Sequence, residues 1–256
     1  MKHLLTPKLD FVFKRLFTED TSVLTDLLNS VLKHEQGSLI KTVEVKNPTI
    51  LPDEITQKFI ILDILAEDEN RKLYDIEVQV RNYEAYPERA LYYLCKLYSS
   101  QLDAGENYSQ LKPVIGIHFL DYKQFPDYND LCFRFEFADV RYPGLKMTQD
   151  LSLYIFELPA AEKILKSGWQ GDSIKEWLHF FNHAHKEDDT MRTQYKNPAV
   201  LKAFKTLEML SADEKTRYLA EIREKALKNE ISELSAAKEK GRLLRMRNFS
   251  GIYQKQ

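Results

Sequence analysis

The chain contains the stretch Leu73-Tyr74-Asp75-Ile76-Glu77-Val78-Gln79-Val80, in which apolar and polar residues alternate strictly from Tyr74 onward. Successive side chains of a β-strand point to opposite faces of a sheet, so this pattern predicts a strand with one apolar and one polar face. The earlier run Phe59-Ile60-Ile61-Leu62-Asp63-Ile64-Leu65 is nearly all apolar, which is typical of a strand buried on both faces. One charge, Asp63, interrupts that run. The two segments together predict an antiparallel hairpin.

The polar residues between the two strands decide which side chains lie opposite each other. Directly opposed residues of an antiparallel pair point to the same face of the sheet. A loop of odd length centred on Asn70, such as Glu69-Asn70-Arg71, places Asp63 opposite Glu77. Asn also tolerates the left-handed conformation that three-residue loops require. The sequence therefore permits two carboxylates and the amide of Gln79 on one patch of sheet.

Further strands and helices alternate along the chain. Interleaved strands and helices indicate an α/β or α+β class with a mixed central sheet. Everything after Pro159 is predicted to be helical, so we divide the chain into a domain of residues 1–160 and a helical C-terminal region of residues 161–256. The other predicted strands are Lys41–Val45, Pro113–Leu120, Leu131–Phe137 and Leu151–Leu158, and a helix from about Pro87 to Asp103 should turn Leu91, Leu94 and Tyr98 inward.

Composition limits the class of protein. The chain has 256 residues, of which 43 % are hydrophobic, and a formal net charge of -2, so any contact with DNA must come from a local basic patch. No apolar run approaches the roughly 20 residues that span a bilayer, and the N-terminus turns polar too early for a signal peptide. Cys95 and Cys132 are the only cysteines, which suits a reducing compartment. We therefore expect a cytoplasmic protein without a membrane segment.

The polar patch of the hairpin suits the hydrolysis of a phosphodiester. Two carboxylates can hold a hard cation such as Mg²⁺, which takes oxygen ligands and keeps several waters. Such a cation lowers the pKa of a bound water and offsets charge in the transition state. Gln79 could orient that water by hydrogen bonding, although an amide does not titrate. The alternative is structural: a carboxylate in a strand can belong to an ion pair, and Glu77 and Gln79 can form a solvated face. An Asp inside an apolar run is rarely buried without a partner, which favours the functional interpretation.

An ordered set of segments over residues 4–160 resembles the PD-(D/E)XK nuclease core. The variant is that of the recombination-promoting nucleases (Rpn) and nuclease-family transposases. The resemblance implies a restriction-endonuclease-like fold and Mg²⁺-dependent DNA endonuclease activity linked to recombination or mobile elements. The matching segments are Asp10-Phe11-Val12-Phe13-Lys14-Arg15-Leu16-Phe17, Asp63, Asp75-Ile76-Glu77-Val78-Gln79-Val80, Arg89-Ala90-Leu91-Tyr92-Tyr93-Leu94, Gly105-Glu106-Asn107-Tyr108, Leu111-Lys112-Pro113-Val114-Ile115 and Phe156-Glu157-Leu158-Pro159.

The same resemblance implies roles for individual residues. Asp63 and Glu77 would be metal ligands, with the carbonyl of Val78 as a third ligand and Mn²⁺ as the alternative cation. Gln79 stands where the general nuclease pattern has lysine, a departure that is normal in this group. Together Asp63, Glu77 and Gln79 would form the catalytic set.

Basic and aromatic residues near the hairpin are candidates for contact with double-stranded DNA. Arg89, Tyr93 and Lys96 follow each other at i, i+4 and i+7, so they share one face of a helix. Arginine can bind a phosphate in a bidentate manner. Lys14 could extend the same patch. The alternative is an ordinary solvated helix face.

Three hypotheses about the function stay open. The first is a DNA endonuclease that acts as a homodimer or with partner proteins, and the second is a catalytically weak or inactive module of the same fold that binds DNA or protein. The third is an unrelated mixed-sheet protein whose polar hairpin face is an interaction surface. The long charged helix from Ala212 to about Lys240 favours a surface helix or a modest dimer contact. The spacing of His179, His183 and His185 invites a zinc site, but the apolar residues around them favour packing.

Overall fold

A mixed sheet forms the centre of the molecule. The computed structural model describes residues 4–33, 39–47, 64–83, 85–186 and 189–253. Its six strands are arranged in the order β1-β2-β3-β4-β6-β5. The pairs β3–β4 and β4–β6 are parallel, and the pairs β1–β2, β2–β3 and β5–β6 are antiparallel, which confirms the predicted mixed sheet. The strands are β1 (Val43–Val45), β2 (Ile64–Asp68), β3 (Leu73–Gln79), β4 (Val114–Leu120), β5 (Phe133–Glu136) and β6 (Leu151–Glu157).

Helices flank the sheet, and side chains that bind free backbone N–H groups mark several helix starts. The side chain of Asp20 accepts from the N–H of Ser22, and that of Asn197 accepts from the N–H of Ala199. After residue 157 the described chain is helix and connection, which confirms the predicted helical C-terminal region. The helices are α1 (Asp10–Thr18), α2 (Thr21–Leu32), α3 (Tyr86–Ser99), α4 (Leu158–Leu165), α5 (Ser173–His183), α6 (Asp189–Arg192), α7 (Pro198–Ala212) and α8 (Glu214–Tyr253).

An aromatic core joins the N-terminal helices, the sheet and the C-terminal helices. The Phe13 ring of α1 lies 5.7 Å from the ring of Phe181 in α5, and the Phe119 ring of β4 lies 4.9 Å from Phe181. Phe17 and Trp177 are in similar contact, at 5.5 Å between ring centroids. All of these side chains are buried. The boundary at residue 160 stays a prediction, but helix α5 beyond it packs in the same core as α1 and β4.

The hairpin that joins β2 to β3 has the odd-length loop predicted for it. Strand β2 continues to Asp68, further than expected, and pairs Ile64 with Ile76 and Glu67 with Leu73. The segment Phe59–Asp63 lies outside the described residues.

The turn itself differs from the prediction in one detail. The left-handed residue is Arg71, with φ of 63°, rather than Asn70. The carboxylate of Asp68 accepts from the backbone N–H groups of Asn70 and Lys72, at 2.8 and 2.9 Å. These bonds close the turn and leave Arg71 as the residue that must take the strained conformation.

Helix α3 packs on the sheet face that carries the polar residues of β3. Gly116 of β4 permits this approach, because a Cβ there would lie 3.1 Å from Leu94 Cδ2 and 2.8 Å from Leu153 Cδ1. Leu94 is buried as predicted, but Leu91 is 50 % exposed and lies beside a groove instead of in the core. The expectation for Leu91 was wrong because α3 contacts the sheet through Tyr86, Ala90 and Leu94.

None of the helices in the described ranges is both long and apolar enough to cross a bilayer.

Candidate active site

The polar face of β3 is buried. Asp75, Glu77 and Gln79 point to the same face, as the alternation predicts, and they are between 5 % and 9 % exposed. The interpretation of this face as a solvated sheet surface is therefore wrong. Val78, between Glu77 and Gln79 in the strand, packs its side chain against the main core on the other face. The structure thus brings two carboxylates and one amide into a covered site.

Arg89 of helix α3 joins the two predicted site residues of β3. Its Nη2 donates to Glu77 Oε1 at 3.0 Å and to Gln79 Oε1 at 2.7 Å. The guanidinium also lies over the ring of Tyr83, 4.7 Å from its centroid. Hydrogen bonds to charged groups are about twice as strong as neutral ones. Arg89 therefore lies inside the site, where sequence reasoning placed it only as a contact to DNA.

The oxygen and the nitrogen of the Gln79 side-chain amide each form a hydrogen bond. Its oxygen accepts from Arg89, and its Nε2 donates to the carbonyl oxygen of Arg81 at 3.0 Å. These two bonds fix which way the amide points. A primary amide offers two N–H donors and two lone pairs, so one donor and one acceptor position are left for a further group such as a water.

His118 is a member of the site that sequence reasoning missed. It lies in β4 directly beside Glu77 and is fully buried. Its Nδ1 shares a hydrogen bond with the hydroxyl of Tyr86 at 2.8 Å and lies 3.8 Å from Glu77 Oε2. Its Nε2 lies 3.9 Å from Asp75 Oδ2, which is too long for a hydrogen bond. A sequence signal existed, because His118 is the one titratable residue in the apolar run Val114–Leu120.

The buried charges influence each other strongly. Burial raises the pKa of Glu77, and the positive charges of His118 and Arg89 offset part of this effect while Asp75 adds to it. Burial alone would lower the pKa of His118, but Asp75 and Glu77 outweigh it and raise that pKa. Burial also raises the pKa of Tyr86, so its hydroxyl stays protonated. For Glu77 the cost of burial therefore outweighs the stabilisation of its charge by His118 and Arg89.

Glu77 has the chemistry of a ligand for a hard cation. Arg89 binds its Oε1, whereas Oε2 accepts no hydrogen bond from any residue in the described part of the chain. Mg²⁺ and similar cations prefer carboxylate oxygens. A cation at Glu77 would also stabilise the anion that burial destabilises. The lone pairs of Oε2 and the buried charge therefore fit a divalent cation.

A cation bound at Glu77 would need further ligands from other groups. Within the described ranges, no cluster of three His, Cys, Asp or Glu side chains could hold a metal. The predicted second carboxylate, Asp63, lies outside those ranges. The backbone carbonyl of Val78 is the other ligand that the sequence suggests.

Three of the residues predicted to contact DNA lie on helix α3. Arg89 and Tyr93 line an open cavity of about 520 Å³ together with Tyr83 and Tyr92. Lys96 is exposed on the same helix, with its Nζ 6.0 Å from the centroid of the Tyr92 ring.

Lys14 lies in α1 and is buried. Its side chain is only 4 % exposed, because α1 is packed so closely that its residues from Phe11 to Lys14 are all buried. The contact of Lys14 with DNA stays a prediction.

The histidines of the C-terminal region are held by packing contacts. His179 stacks on Trp169, with ring centroids 3.8 Å apart, and its Nδ1 shares a hydrogen bond with Tyr195 at 2.8 Å. His183 Nε2 lies 2.8 Å from Glu162 Oε1. These contacts support the packing interpretation over a zinc site.

Comparison with known proteins adds one match. The family model described as PD-(D/E)XK nuclease family transposase matches residues 7–237 of the chain. No curated protein and no solved structure matches it. The matched range includes the whole sheet, helix α3 and most of α8. The match supports a hydrolytic nuclease linked to mobile elements, and the mixed sheet agrees with a PD-(D/E)XK nuclease-like fold.

Proposed function

The chain belongs to the family of PD-(D/E)XK nuclease family transposases, and from this premise we propose that it is a metal-dependent endonuclease of double-stranded DNA. The observation that carries the proposal is the buried cluster in which Arg89 bridges Glu77 and Gln79. We further propose that Mg²⁺, or Mn²⁺ in its place, is the cofactor. The setting is DNA recombination or mobile-element activity in the cytoplasm.

Asp63 and Glu77 are the proposed metal ligands, with the carbonyl of Val78 as the third. The described ladder pairs Ile64 with Ile76. One further step in the same register, which is part of the proposal, would pair Asp63 with Glu77. Opposed residues of an antiparallel pair share a face, so both carboxylates would then point to the same cation.

The residues of the chain orient and hold the reacting groups. A bound divalent cation supplies an activated water and offsets negative charge on the scissile phosphate. Arg89 fixes Glu77 and Gln79 in position and keeps a positive charge beside them. The free donor and acceptor of the Gln79 amide hold a water in a defined orientation. Tyr93 and Lys96, further along α3, contact backbone phosphates on the side of the open cavity.

A second candidate function is a catalytically weak or inactive module that binds DNA or protein. One observation favours it: Arg89 occupies Glu77 Oε1, where it would compete with a metal ion. Gln79 also supplies no charge of its own. In this case the ion pair would be the permanent state of the site.

Incubation of the purified full chain with supercoiled plasmid separates the candidates. With Mg²⁺ or Mn²⁺ we expect nicked and linear products, and with a chelator none. Asp63→Ala and Glu77→Ala should each lower the initial rate at least about a hundredfold, because even groups that only support metal ligands are worth 10–100-fold. Glu44→Gln, which removes an exposed carboxylate from β1 of the same sheet, should leave the rate unchanged.

The same experiment identifies the alternatives. Retention of DNA in a gel-shift assay without any cleavage would support the binding module. A protein that neither cleaves nor retains DNA would contradict the endonuclease proposal and would leave only protein binding to the second candidate. Cleavage that persists in Glu77→Ala would show that the chemistry takes place elsewhere.

A further inference from the structure

Strand β5 lies at one edge of the sheet. Among the strands of the described ranges it is the last in the order β1-β2-β3-β4-β6-β5 and pairs with β6 alone. In the described part of the chain, the backbone of Phe133–Glu136 makes no hydrogen bond to other backbone groups outside that pairing. An exposed strand edge is a ready site for pairing with another strand, and natural proteins usually protect such edges with charges, prolines or covering segments.

The surface beside this edge is unusually apolar. Phe135 and Phe137 are 45 % and 46 % exposed, and Leu91 of α3 faces them across a groove of about 320 Å³. In the segment between β5 and β6, Val140 and Met147 are also highly exposed. Exposed apolar side chains beside a strand edge are typical of an interaction surface.

The sequence of the edge is complementary to itself. Phe133-Arg134-Phe135-Glu136-Phe137 has aromatic residues at alternate positions and opposite charges on either side of the central Phe135. When two copies pair antiparallel about Phe135, Arg134 of each lies opposite Glu136 of the other, and Phe133 lies opposite Phe137. The charged residues point to one face and the aromatic residues to the other. A symmetric interface requires such self-complementarity.

From this complementarity we propose that the chain forms a homodimer through β5, with the two sheets joined edge to edge about a two-fold axis at Phe135. The aromatic residues of both copies then cover the grooves beside α3. Arg134 already pairs with Glu136 within its own strand, and Lys146 Nζ lies 2.8 Å from the same carboxylate. In the dimer each Glu136 also faces Arg134 of the second copy. The interface is independent of the nuclease proposal.

A charge exchange tests the interface directly. Sedimentation velocity should show a dimer of the unaltered chain, with dissociation to single chains in Arg134→Glu and in Glu136→Arg. In a dimer of either variant alone, position 134 of each copy carries the same charge as position 136 of the other copy. These two repulsive contacts should raise the dissociation constant about tenfold or more. An equimolar mixture of the two variants should dimerise again, because the β5 strand with two acidic residues then faces a β5 strand with two basic residues. Both variants lose the ion pair within the strand, so only contact between copies explains recovery on mixing.

Further variants separate a lost interface from a lost fold. Phe135→Glu places two negative charges at the axis and should give single chains that keep the circular-dichroism spectrum of the folded protein. Tyr218→Glu, at an exposed aromatic residue of α8, should leave the dimer intact. The proposal is overturned by single chains of the unaltered protein up to about 100 µM, by dimers that resist all three β5 variants, or by a mixture that stays dissociated.

Discussion

The resemblance to the PD-(D/E)XK pattern puts Gln79 where that pattern has lysine, so β3 itself would supply no positive charge there. The structure brings a cation to the same place from another element, because Arg89 of α3 binds Gln79 and Glu77 through a single nitrogen. Gln79 thus anchors the guanidinium as well as offering a site for water. The amide and the guanidinium form one unit in this arrangement.

Because Arg89 and Gln79 are bonded to each other, we predict that a double-mutant cycle of the two residues is non-additive. Arg89→Ala and Gln79→Ala should each lower the plasmid-nicking rate about 10–100-fold, the value of one or two charge-assisted hydrogen bonds. The double variant should be little slower than either single variant, because each change already releases the other partner. Initial rates at saturating DNA measure the effect.

Lys96→Ala provides the control, since Lys96 lies on the same helix outside the cluster. It should weaken DNA binding and reduce its salt dependence, with effects that add to those of Gln79→Ala. Additive effects of Arg89→Ala and Gln79→Ala would contradict the idea that the two residues act together.

Local pattern predicted the β3 residues of the site, but not their partners. Alternation along β3 and the odd loop are properties of neighbouring residues, so Glu77, Gln79 and the hairpin register could be predicted from sequence. The positions of Arg89 and His118 depend on how α3 packs on β4, which periodicity does not specify. The burial of Lys14 depends on how α1 packs and the exposure of Leu91 on how α3 packs, and periodicity specifies neither.

At the scale of elements, the β2–β3 hairpin holds Glu77 in register, and its turn is strained. Arg71 is exposed and adopts φ of 63°, which a residue with a Cβ adopts at a cost of about 1–2 kcal/mol. Glycine takes this conformation without that strain.

We therefore predict that Arg71→Gly stabilises the protein. Glycine loses more entropy on folding than arginine, which offsets part of the relieved strain. The net gain in free energy of unfolding should be about 0.5–1 kcal/mol. Urea unfolding followed by circular dichroism measures it. Asn70→Gly, one residue earlier in the same turn and without positive φ, should instead destabilise slightly. A loss of stability in Arg71→Gly would mean that the Arg71 side chain contributes more than its backbone strain.

At the scale of the whole molecule, helix α8 reaches back to the proposed site. Arg223 Nη2 lies 2.6 Å from Asp10 Oδ2, a pair 213 residues apart in sequence. Arg223 also approaches Glu230, which in turn contacts Arg81, and these three side chains are buried. The carbonyl of Arg81 accepts from Gln79. The charged pattern of α8 predicted a surface helix. The buried ion pairs could not be predicted, because partners so distant in sequence leave no periodic signal.

This network predicts that α8 supports both stability and activity. Glu230→Ala removes a buried anion from Arg81 and Arg223, and breaking a buried pair in this way typically costs about 3–5 kcal/mol. For a chain of this size that corresponds to a fall in Tm of roughly 10 °C. Glu221→Ala, at an exposed position on the same helix, should change stability by less than about 0.5 kcal/mol.

The nicking rate of Glu230→Ala, measured well below its Tm, tests whether α8 also acts on the site. Because Arg81 both contacts Glu230 and anchors the Gln79 amide, a shift of Arg81 should move Gln79 and lower the rate while the protein stays folded. A normal rate together with a lowered Tm would limit α8 to a structural role. An unchanged Tm would show that the ion pairs of Glu230 contribute nothing to stability.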